Sequence, residues 1–454
     1  MTLKLRRLSQ ALMLTLILLF AAAQPAAAQS VLRDSETELF FKDISRPLIK
    51  AAGLAPSNVN IVMLNDPEIN AFVATGQTVY IYSGLIMKAD NANQVQGVIA
   101  HELGHVAGGH SIRIGEGESK ATSISILSLL LGAAAMAAGA GEAGMGVIAA
   151  GQQAAMGNLF AFSRSQESSA DLAGASYLAK AGVSGKGSLE FFKKLQNQEY
   201  RLAIARTDDY ASTHPLNTDR IQTLEQIYKK DPAWAKPIDP ALEARFERVK
   251  AKLIGYVDPK RAAVLYPESN QSVPAHYARA YAYHLGAYPD KAAQESEALL
   301  KIAPNDPFFL ELKGQILLEG GKPREALPAL RQAVAKAPDK PMIAALLGHA
   351  LVATEDPKNF PEAKQVLRQA IARDNDNPDA WYQLGIVYDH DGDAPRAALA
   401  TAERSNLIGE NKLALASAKM AMNGLKAGTP DYLRAQDIAM VSEAALKKDK
   451  KKKK

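Results

Sequence analysis

Residues 94–107 read QVQGVIAHELGHVA, and the fold of the chain is organised around this stretch. Its apolar residues recur at helical spacing, which predicts a helix. Asp90 or Asn93 is expected to cap the start of this helix, and Gly108 with Gly109 is expected to end it. The stretch therefore predicts a single capped helix that carries two histidines and a glutamate.

His101 and His105 are four residues apart, so on a helix both imidazoles project from one face and can share a metal ion. Glu102 is rotated away from that face, where it can accept a proton from an attacking water instead of binding the metal. The pattern predicts one catalytic Zn²⁺ per chain. The ligand types alone would accept other divalent ions as well.

A catalytic zinc needs a third protein ligand and an open fourth position. Residues 164–174 read RSQESSADLAG, in which Glu167 and Asp171 are again four residues apart on a predicted helix. We expect Glu167 to be the third ligand and Asp171 to accept a hydrogen bond from the remote nitrogen of a ligating histidine. The metzincin pattern does not apply, because it needs a histidine where Ser111 stands and His110 comes one residue early.

These motifs resemble those of the HtpX/CAAX-prenyl-protease group of gluzincin metallopeptidases. The resemblance is carried by HELGHV at 101–106, by His110 and by ESSAD at 167–171. Residues 212–220, with STHPL and then Arg220, are similar to the His-Pro segment of that group, and residues 69–85 are similar to its substrate-side hairpin.

The resemblance implies that His101, His105 and Glu167 bind zinc and that Glu102 is the general base. It also implies that His214 lies close to the metal, where two opposite roles are open. His214, like Arg220, could donate a hydrogen bond to the oxyanion of the tetrahedral intermediate. A neutral His214 could instead fill the open position on the metal and keep the enzyme latent.

Residues 1–28 are typical of a secretory signal peptide, with three cationic residues, an apolar core at 11–23 and alanines at 26–28. The mature protein is expected to begin at Gln29; an uncleaved N-terminal anchor is the alternative. The absence of cysteine excludes lipid attachment at a cysteine, disulfides and thiol catalysis. An exported chain without cysteine indicates a bacterial periplasm.

The formal net charge of +5 is not spread evenly along the chain. The signal segment supplies +3 and the lysine tail at 447–454 supplies +6, so the body between them carries −4. A nucleic-acid-binding face is therefore not expected. The tail is predicted to be disordered and solvated, with contact to anionic lipid as the alternative.

Before the metal motif, a lead-in helix is expected within 31–60, ending near Gly53, and short strands are expected at 59–63, 71–73 and 79–82. The edge of such a sheet can pair with an extended peptide and hold its scissile bond beside the metal. The sheet can equally serve as the scaffold against which the metal helix packs.

Between the two metal motifs, residues 121–162 contain a single ionisable residue, Glu142. The segment is long enough to span a membrane but is rich in Gly, Ala and Ser. A membrane hairpin, a buried helical pair and a mobile flap over the site are the alternatives. We favour a soluble hairpin or one that touches a membrane peripherally.

The C-terminal half repeats with a period that identifies its architecture. Pro307, Pro341 and Pro378 are 34 and 37 residues apart, and glycines seven residues after each proline keep these intervals. This is the tetratricopeptide period, and it predicts stacked helix pairs with a concave surface suited to protein binding. Degenerate copies are expected at 277–303 and 412–446.

The predicted architecture is thus an α+β zincin (gluzincin) domain at 29–256, mostly helical with a small sheet, followed by an all-α tetratricopeptide solenoid at 272–446. The first functional hypothesis is a periplasmic zinc endopeptidase. The resemblance implies outer-membrane β-barrel proteins and their assembly machinery as its partners. A chaperone with a latent peptidase site and a membrane-embedded peptidase are the alternatives.

Overall fold

The computed structural model describes residues 30–74, 76–137, 141–201, 214 and 218–452. The predicted signal peptide and the neighbours of His214 at 212–213 and 215–216 lie outside the described residues. The elements of the N-terminal part are β1 (Val31–Leu32), α1 (Ser35–Ala51), β2 (Asn60–Leu64), β3 (Ala71–Val73), β4 (Thr78–Tyr82), α2 (Ser83–Lys88), α3 (Ala92–Gly108), α4 (His110–Ala137), α5 (Gly141–Ala181), α6 (Lys186–Arg201), α7 (Thr218–Lys230), a 3₁₀ turn (Pro232–Ala235), α8 (Pro240–Val257) and α9 (Pro259–Leu265).

The four strands form one mixed sheet in the order β1-β2-β4-β3. The central pair, β2 and β4, is parallel, and the two edge strands are antiparallel to their neighbours. β1 was not predicted, because two residues are too few to show an alternating pattern. In β3, Phe72 stacks on Tyr80 of β4, with ring centroids 5.1 Å apart. No strand of the described residues pairs with the outer edge of β3.

Helix α3 lies at the centre of the N-terminal core, and fourteen consecutive residues from Ala92 to His105 are buried. Its N-cap is Asn91, whose side chain accepts a hydrogen bond from the Gln94 amide at 3.0 Å, so neither predicted cap is the right one. The helix ends as predicted, because Gly109 takes a left-handed conformation with φ of 61°. The chain therefore turns sharply at the end of the helix that carries His101 and His105.

Helices α4 and α5 form a long antiparallel hairpin, which contains the uncharged segment. By length and composition, residues His110–Met136 could cross a membrane. Only 11% of the most apolar 18-residue stretch of this helix is buried inside the protein. The alternative of a buried helical pair is therefore wrong. The hairpin presents its apolar side chains to the outside of the protein.

The C-terminal part consists of consecutive helix pairs that follow the predicted repeat. The helices are α10 (Val273–Leu285), α11 (Pro289–Ile302), α12 (Pro307–Glu319), α13 (Pro323–Lys336), α14 (Pro341–Ala353), a 3₁₀ turn (Pro357–Asn359), α15 (Phe360–Arg373), α16 (Pro378–His390), α17 (Ala394–Leu407), α18 (Asn411–Gly424) and α19 (Pro430–Lys452). The predicted fold class, a small-sheet peptidase domain followed by a helical solenoid, is confirmed.

The structure differs from the prediction at the lysine tail. Helix α19 continues to Lys452, so residues 447–452 are helical where disorder was predicted. Lysine is a good helix former, and an existing helix adds a residue far more easily than a new helix begins. The prediction of disorder rested on the run of like charges alone and did not consider that a preceding helix could continue into the tail.

A buried ionic cluster fastens the solenoid to the N-terminal domain. Arg248 of α8 lies 2.6 Å from Glu36 of α1 and 2.8 Å from Asp306 at the start of α12. The Tyr277 hydroxyl of α10 donates a hydrogen bond of 2.6 Å to the same Glu36. These contacts join helices of both parts, and because the charges are largely shielded from water, removing one partner by mutation would leave the others unpaired and would destabilise the junction.

Glu311 of α12 also belongs to this buried region, and it predicts a pH dependence of stability. One carboxylate oxygen, Oε2, is buried without a hydrogen-bond partner among the described residues. Burial raises the pKa of Glu311 from 4.5 to about 8. The folded protein therefore binds this proton more tightly than the unfolded chain. The protonated side chain stabilises the fold fully at pH values below the pKa of the unfolded chain, and this stabilisation is lost as the pH rises through the pKa of the folded protein.

We expect Glu311→Gln to reduce the loss of stability between pH 5 and pH 8, because glutamine keeps the shape and does not ionise. The effect on the free energy of unfolding is at most roughly 4 kcal/mol across that range. Thermal unfolding followed by circular dichroism at both pH values measures it. Equal pH dependence in the wild type and the variant would contradict the raised pKa.

Candidate metal centre

Helix α3 presents the two histidines of the HELGH motif on one buried face, as their spacing requires. The Nε2 atoms of His101 and His105 lie 3.2 Å apart. Both rings are buried, His101 with 2% and His105 with 8% of its surface exposed. The two nitrogens therefore face one shared point inside the protein.

Glu167 reaches the same point from helix α5. Its Oε2 lies 3.4 Å from His101 Nε2, and its Oε1 lies 3.3 Å from His105 Nε2. The two helices approach closely here because Gly104 has no side chain; a Cβ atom at this position would lie 2.6 Å from the Ala170 carbonyl oxygen. Gly104 thus lets helix α5 bring the Glu167 carboxylate close to the two histidines.

His214 completes the group from a distant part of the chain. Its Nδ1 lies 3.1 Å from both oxygens of Glu167 and 3.3 Å from His101 Nε2. On the opposite side of the ring, Nε2 lies 3.2 Å from the carbonyl oxygen of Ala71 in the edge strand β3. A neutral ring whose Nε2 donates to that carbonyl has an unprotonated Nδ1 that faces the group.

The residues fit a zinc ion. Ligand atoms of the four residues His101, His105, Glu167 and His214 all lie within 4.8 Å of one another. Zinc–ligand bonds of about 2.0–2.1 Å in a tetrahedron place neighbouring ligand atoms about 3.3 Å apart. Apart from the pair His105 and His214, the nitrogen and oxygen atoms here are separated by 3.1 to 3.4 Å. The donor set of imidazole and carboxylate is also the set that zinc prefers.

Asp171 and Arg220 lie outside this group and contact two of its residues, His101 and Glu167. Asp171 Oδ1 lies 3.0 Å from His101 Nδ1, the nitrogen that faces away from the shared point. Arg220 donates to both oxygens of Asp171 at 2.6 and 2.9 Å, and its Nη2 also lies 3.2 Å from Glu167 Oε2. Arg220, which was predicted among the catalytic residues, thus contacts both carboxylates.

The charges of this group support one another. Burial alone would lower the pKa of His101, but contacts with Asp171 and Glu167 outweigh burial and raise it to about 10. Burial would raise the pKa of Glu167, yet its contacts with His101, His105 and His214 hold it far below the usual range. Burial would also raise the pKa of Asp171, but its contacts with Arg220 and His101 lower it. Both carboxylates therefore stay ionised, as metal coordination and its outer hydrogen bonds require.

Glu102 has the most unusual environment in the group. Its side chain is 0% exposed, and both carboxylate oxygens lack a hydrogen-bond partner among the described residues. His214 Nε2 lies 3.6 Å from Glu102 Oε1, beyond a normal hydrogen bond. A buried, unpartnered carboxylate beside a metal-binding group is suited to accept a proton from a water molecule.

His110 contacts the group in a way that the sequence did not predict. Its Nδ1 lies 3.0 Å from His105 Nδ1, the outer nitrogen of that ring. A Cβ atom on Gly108 would collide with the His110 ring, so glycine makes room for it. His110 does not belong to the group of possible metal ligands found among the described residues. The left-handed Gly109 was the signal for the chain reversal.

We expect His110→Ala to weaken metal binding by about 10- to 100-fold, because His105 loses the acceptor that orients its ring. His110→Gln offers an acceptor at a similar reach and should restore part of the affinity. Competition with a chelator measures this without any assay of activity. Equal metal affinity in the wild type and His110→Ala would contradict the positioning role.

Comparisons with known proteins agree with this geometry. Residues 35–228 match the description "Peptidase family M48", and residues 312–359 and 358–405 match the description "Tetratricopeptide repeat". The first match contains every candidate metal-site residue. The second covers the clearest copies of the predicted repeat.

Three relatives extend the likeness over different parts of the chain. A Vibrio cholerae "putative beta-barrel assembly-enhancing protease" is 28% identical over 62% of this chain, and the match spans 59% of that protein. The Yersinia pestis "beta-barrel assembly-enhancing protease" is 23% identical over 91% of this chain and 85% of its own length. The Escherichia coli "metalloprotease LoiP" is 32% identical over 39% of this chain and 64% of its own length. Residues 35–228 therefore form a metalloendopeptidase domain of peptidase family M48, which is followed by tetratricopeptide repeats.

Proposed function

We propose that this chain is an exported zinc endopeptidase of outer-membrane protein quality control, which cleaves misassembled proteins recruited by its tetratricopeptide repeats. One observation carries the proposal. The buried nitrogens of His101 and His105 and the carboxylate of Glu167 converge on one point, and beside them lies the Glu102 carboxylate, which accepts no hydrogen bond from the described residues.

In this proposal each residue has a separate task. His101, His105 and Glu167 hold the zinc ion, while Asp171 and Arg220 keep His101 and Glu167 in place. When bound, zinc supplies the Lewis acidity that polarises a scissile carbonyl and lowers the pKa of water. Glu102 takes a proton from the attacking water and delivers it to the leaving amine.

The edge strand β3 is proposed to hold the substrate backbone. The amide of Tyr82 in β4 donates to the Asn70 carbonyl at 2.9 Å, so the next carbonyl, that of Ala71, points away from the sheet. An extended substrate could pair with this outer edge and lie beside the metal centre. Main-chain pairing makes little demand on side chains, which suits an enzyme that acts on many misfolded sequences.

His214 is proposed to be a latch, which here means a side chain that keeps the peptidase at rest. It offers Nδ1 as a fourth ligand, which leaves no open position for water. It also takes the Ala71 carbonyl with which a substrate backbone would pair. Of its two predicted roles, the position of the ring supports the latch over the oxyanion donor.

The tetratricopeptide solenoid is proposed to recruit the substrate. A cavity of about 400 Å³ lies between α14 and α16, where Phe360 and His390 stack with ring centroids 3.9 Å apart and Tyr382 is half exposed. Such a cavity can hold a large side chain of a bound polypeptide. The names of the relatives refer to the assembly of β-barrels. We propose outer-membrane β-barrel proteins and their assembly machinery as the partners, and the periplasm as the location.

A chaperone that acts by binding alone is the second candidate, because the latched arrangement of His214 also describes an inactive peptidase. Hydrolysis of casein by the mature protein, beside its Glu102→Gln variant, separates the two. A peptidase loses its function in the variant. A chaperone keeps the ability to suppress aggregation of an unfolded protein.

A further inference from the structure

The hairpin of α4 and α5 has an inverted distribution of side chains. Glycines let the two arms approach closely, since a Cβ atom on Gly132 would lie 2.4 Å from Ile148 Cγ1 and 2.7 Å from the Gly144 carbonyl oxygen. The large apolar side chains point outward instead, with exposed fractions between 47% and 65% for Ile126, Leu127, Leu129, Leu130 and Leu131. Burial of small residues and exposure of large ones is the reverse of what water favours.

These exposed side chains do not form one stripe. Residues 126–131 cover more than a full helical turn, and only Ser128 among them is buried, against the other arm. A protein partner covers one face of a helix, whereas lipid surrounds it on every side that its neighbour leaves free. Close packing of two helices through glycine and serine is likewise the arrangement found in membranes.

The distribution of charged residues along the hairpin also indicates contact with lipid. Residues 121–141 and 143–163 contain no ionisable side chain, and the nearest charges at the base of the hairpin are Lys120 and Arg164. The exposed Glu142 near the tip and the exposed Gln152 and Gln153 on the second arm oppose a full span. Large apolar side chains on the outside of the first arm, together with polar residues at the tip and on the second arm, fit partial insertion into a bilayer rather than a full span.

We infer that the apolar surface of this hairpin inserts into the interface of a lipid bilayer. The hairpin continues directly into the metal centre: α4 begins at His110, and Glu167 lies on α5 only seven residues after the exposed Phe160. At 1.5 Å per residue this separation is about 10 Å. Resting on the proposed function, the inference defines the substrates as polypeptide segments at a membrane surface.

Vesicle binding tests the insertion without any assay of hydrolysis. Because the chain contains no cysteine, Leu130→Cys provides a single labelling site for the environment-sensitive fluorophore NBD. Val264→Cys is the matched control, since Val264 is 79% exposed on α9 outside the hairpin. With vesicles of phosphatidylethanolamine and phosphatidylglycerol we expect a blue shift and a several-fold increase in emission at position 130, and no change at position 264.

Flotation with the same vesicles tests which residues carry the binding. The triple variant Leu127→Gln, Leu130→Gln and Leu131→Gln should float at least ten-fold less than the wild type, because glutamine preserves the helix and removes apolar surface. The double variant Met420→Gln and Met440→Gln removes exposed apolar side chains of the solenoid and should float like the wild type. Circular dichroism checks that each variant is folded.

Three results would overturn the inference. The first is an unchanged spectrum at position 130 with vesicles. The second is equal flotation of the triple variant and the wild type. The third is a concentration-dependent dimer that the triple variant loses, without vesicle binding, since the hairpin would then bind a second copy of this chain. Flotation of the Glu102→Gln variant tests the insertion independently of hydrolysis, because this variant should bind vesicles like the wild type. A wild-type protein that floats but cleaves nothing would support the insertion and refute the proposed peptidase.

Discussion

Glu102→Gln should abolish casein hydrolysis, lowering the rate by at least about 10²- to 10⁴-fold, the usual contribution of a general base. Glutamine has nearly the same shape as glutamate, and the buried Glu102 side chain makes no hydrogen bond to a described residue that the change would break. The variant loses only the ability to accept a proton. Its fold and its metal content should therefore match those of the wild type.

Initial rates of casein hydrolysis measure the effect, and Glu118→Gln is the matched control. Glu118 is an exposed carboxylate on α4, so its loss should leave the rate unchanged. Hydrolysis by Glu102→Gln at the wild-type rate would refute the assignment of the base. Full suppression of aggregation by a protein that never cleaves casein would favour the chaperone.

His214→Ala should raise the rate of hydrolysis, on the order of ten-fold, because the latch keeps most molecules in the resting arrangement. The variant retains His101, His105 and Glu167, which are enough for a catalytic zinc site with an open position. Removal of the ring also frees the Ala71 carbonyl, which His214 Nε2 approaches to 3.2 Å. Both changes favour binding of water and substrate.

Casein hydrolysis at several substrate concentrations separates the two roles of His214. Release of a latch increases the fraction of competent enzyme and so raises kcat/KM. An oxyanion donor stabilises the transition state, and its loss would lower kcat by about 10²- to 10³-fold. A lower kcat in His214→Ala would therefore refute the latch and support the donor.

The sequence could predict the parts of the site that depend on helical spacing. His101 with His105 and Glu167 with Asp171 each share a helical face, and the structure places all four together. The repeat was visible for a similar reason, since each pair of helices buries the same positions at a fixed interval.

The remaining features depend on contacts between distant residues. His110 reaches His105 only because Gly109 reverses the chain, which no residue count reveals. Arg220 could be placed near the metal by resemblance, but its pairing with Asp171 depends on how α7 packs on α5. The hairpin remained ambiguous because its composition fits both burial and lipid, and only the exposure of its large side chains distinguishes them.

The most direct test of the central claim is the metal content of the mature protein purified without chelator, determined beside that of Glu167→Ala. Elemental analysis should find one zinc per wild-type chain, much less in Glu167→Ala, and casein hydrolysis that follows the zinc content. A wild-type protein without zinc, or a variant with as much zinc as the wild type, would contradict a metal centre built from His101, His105 and Glu167.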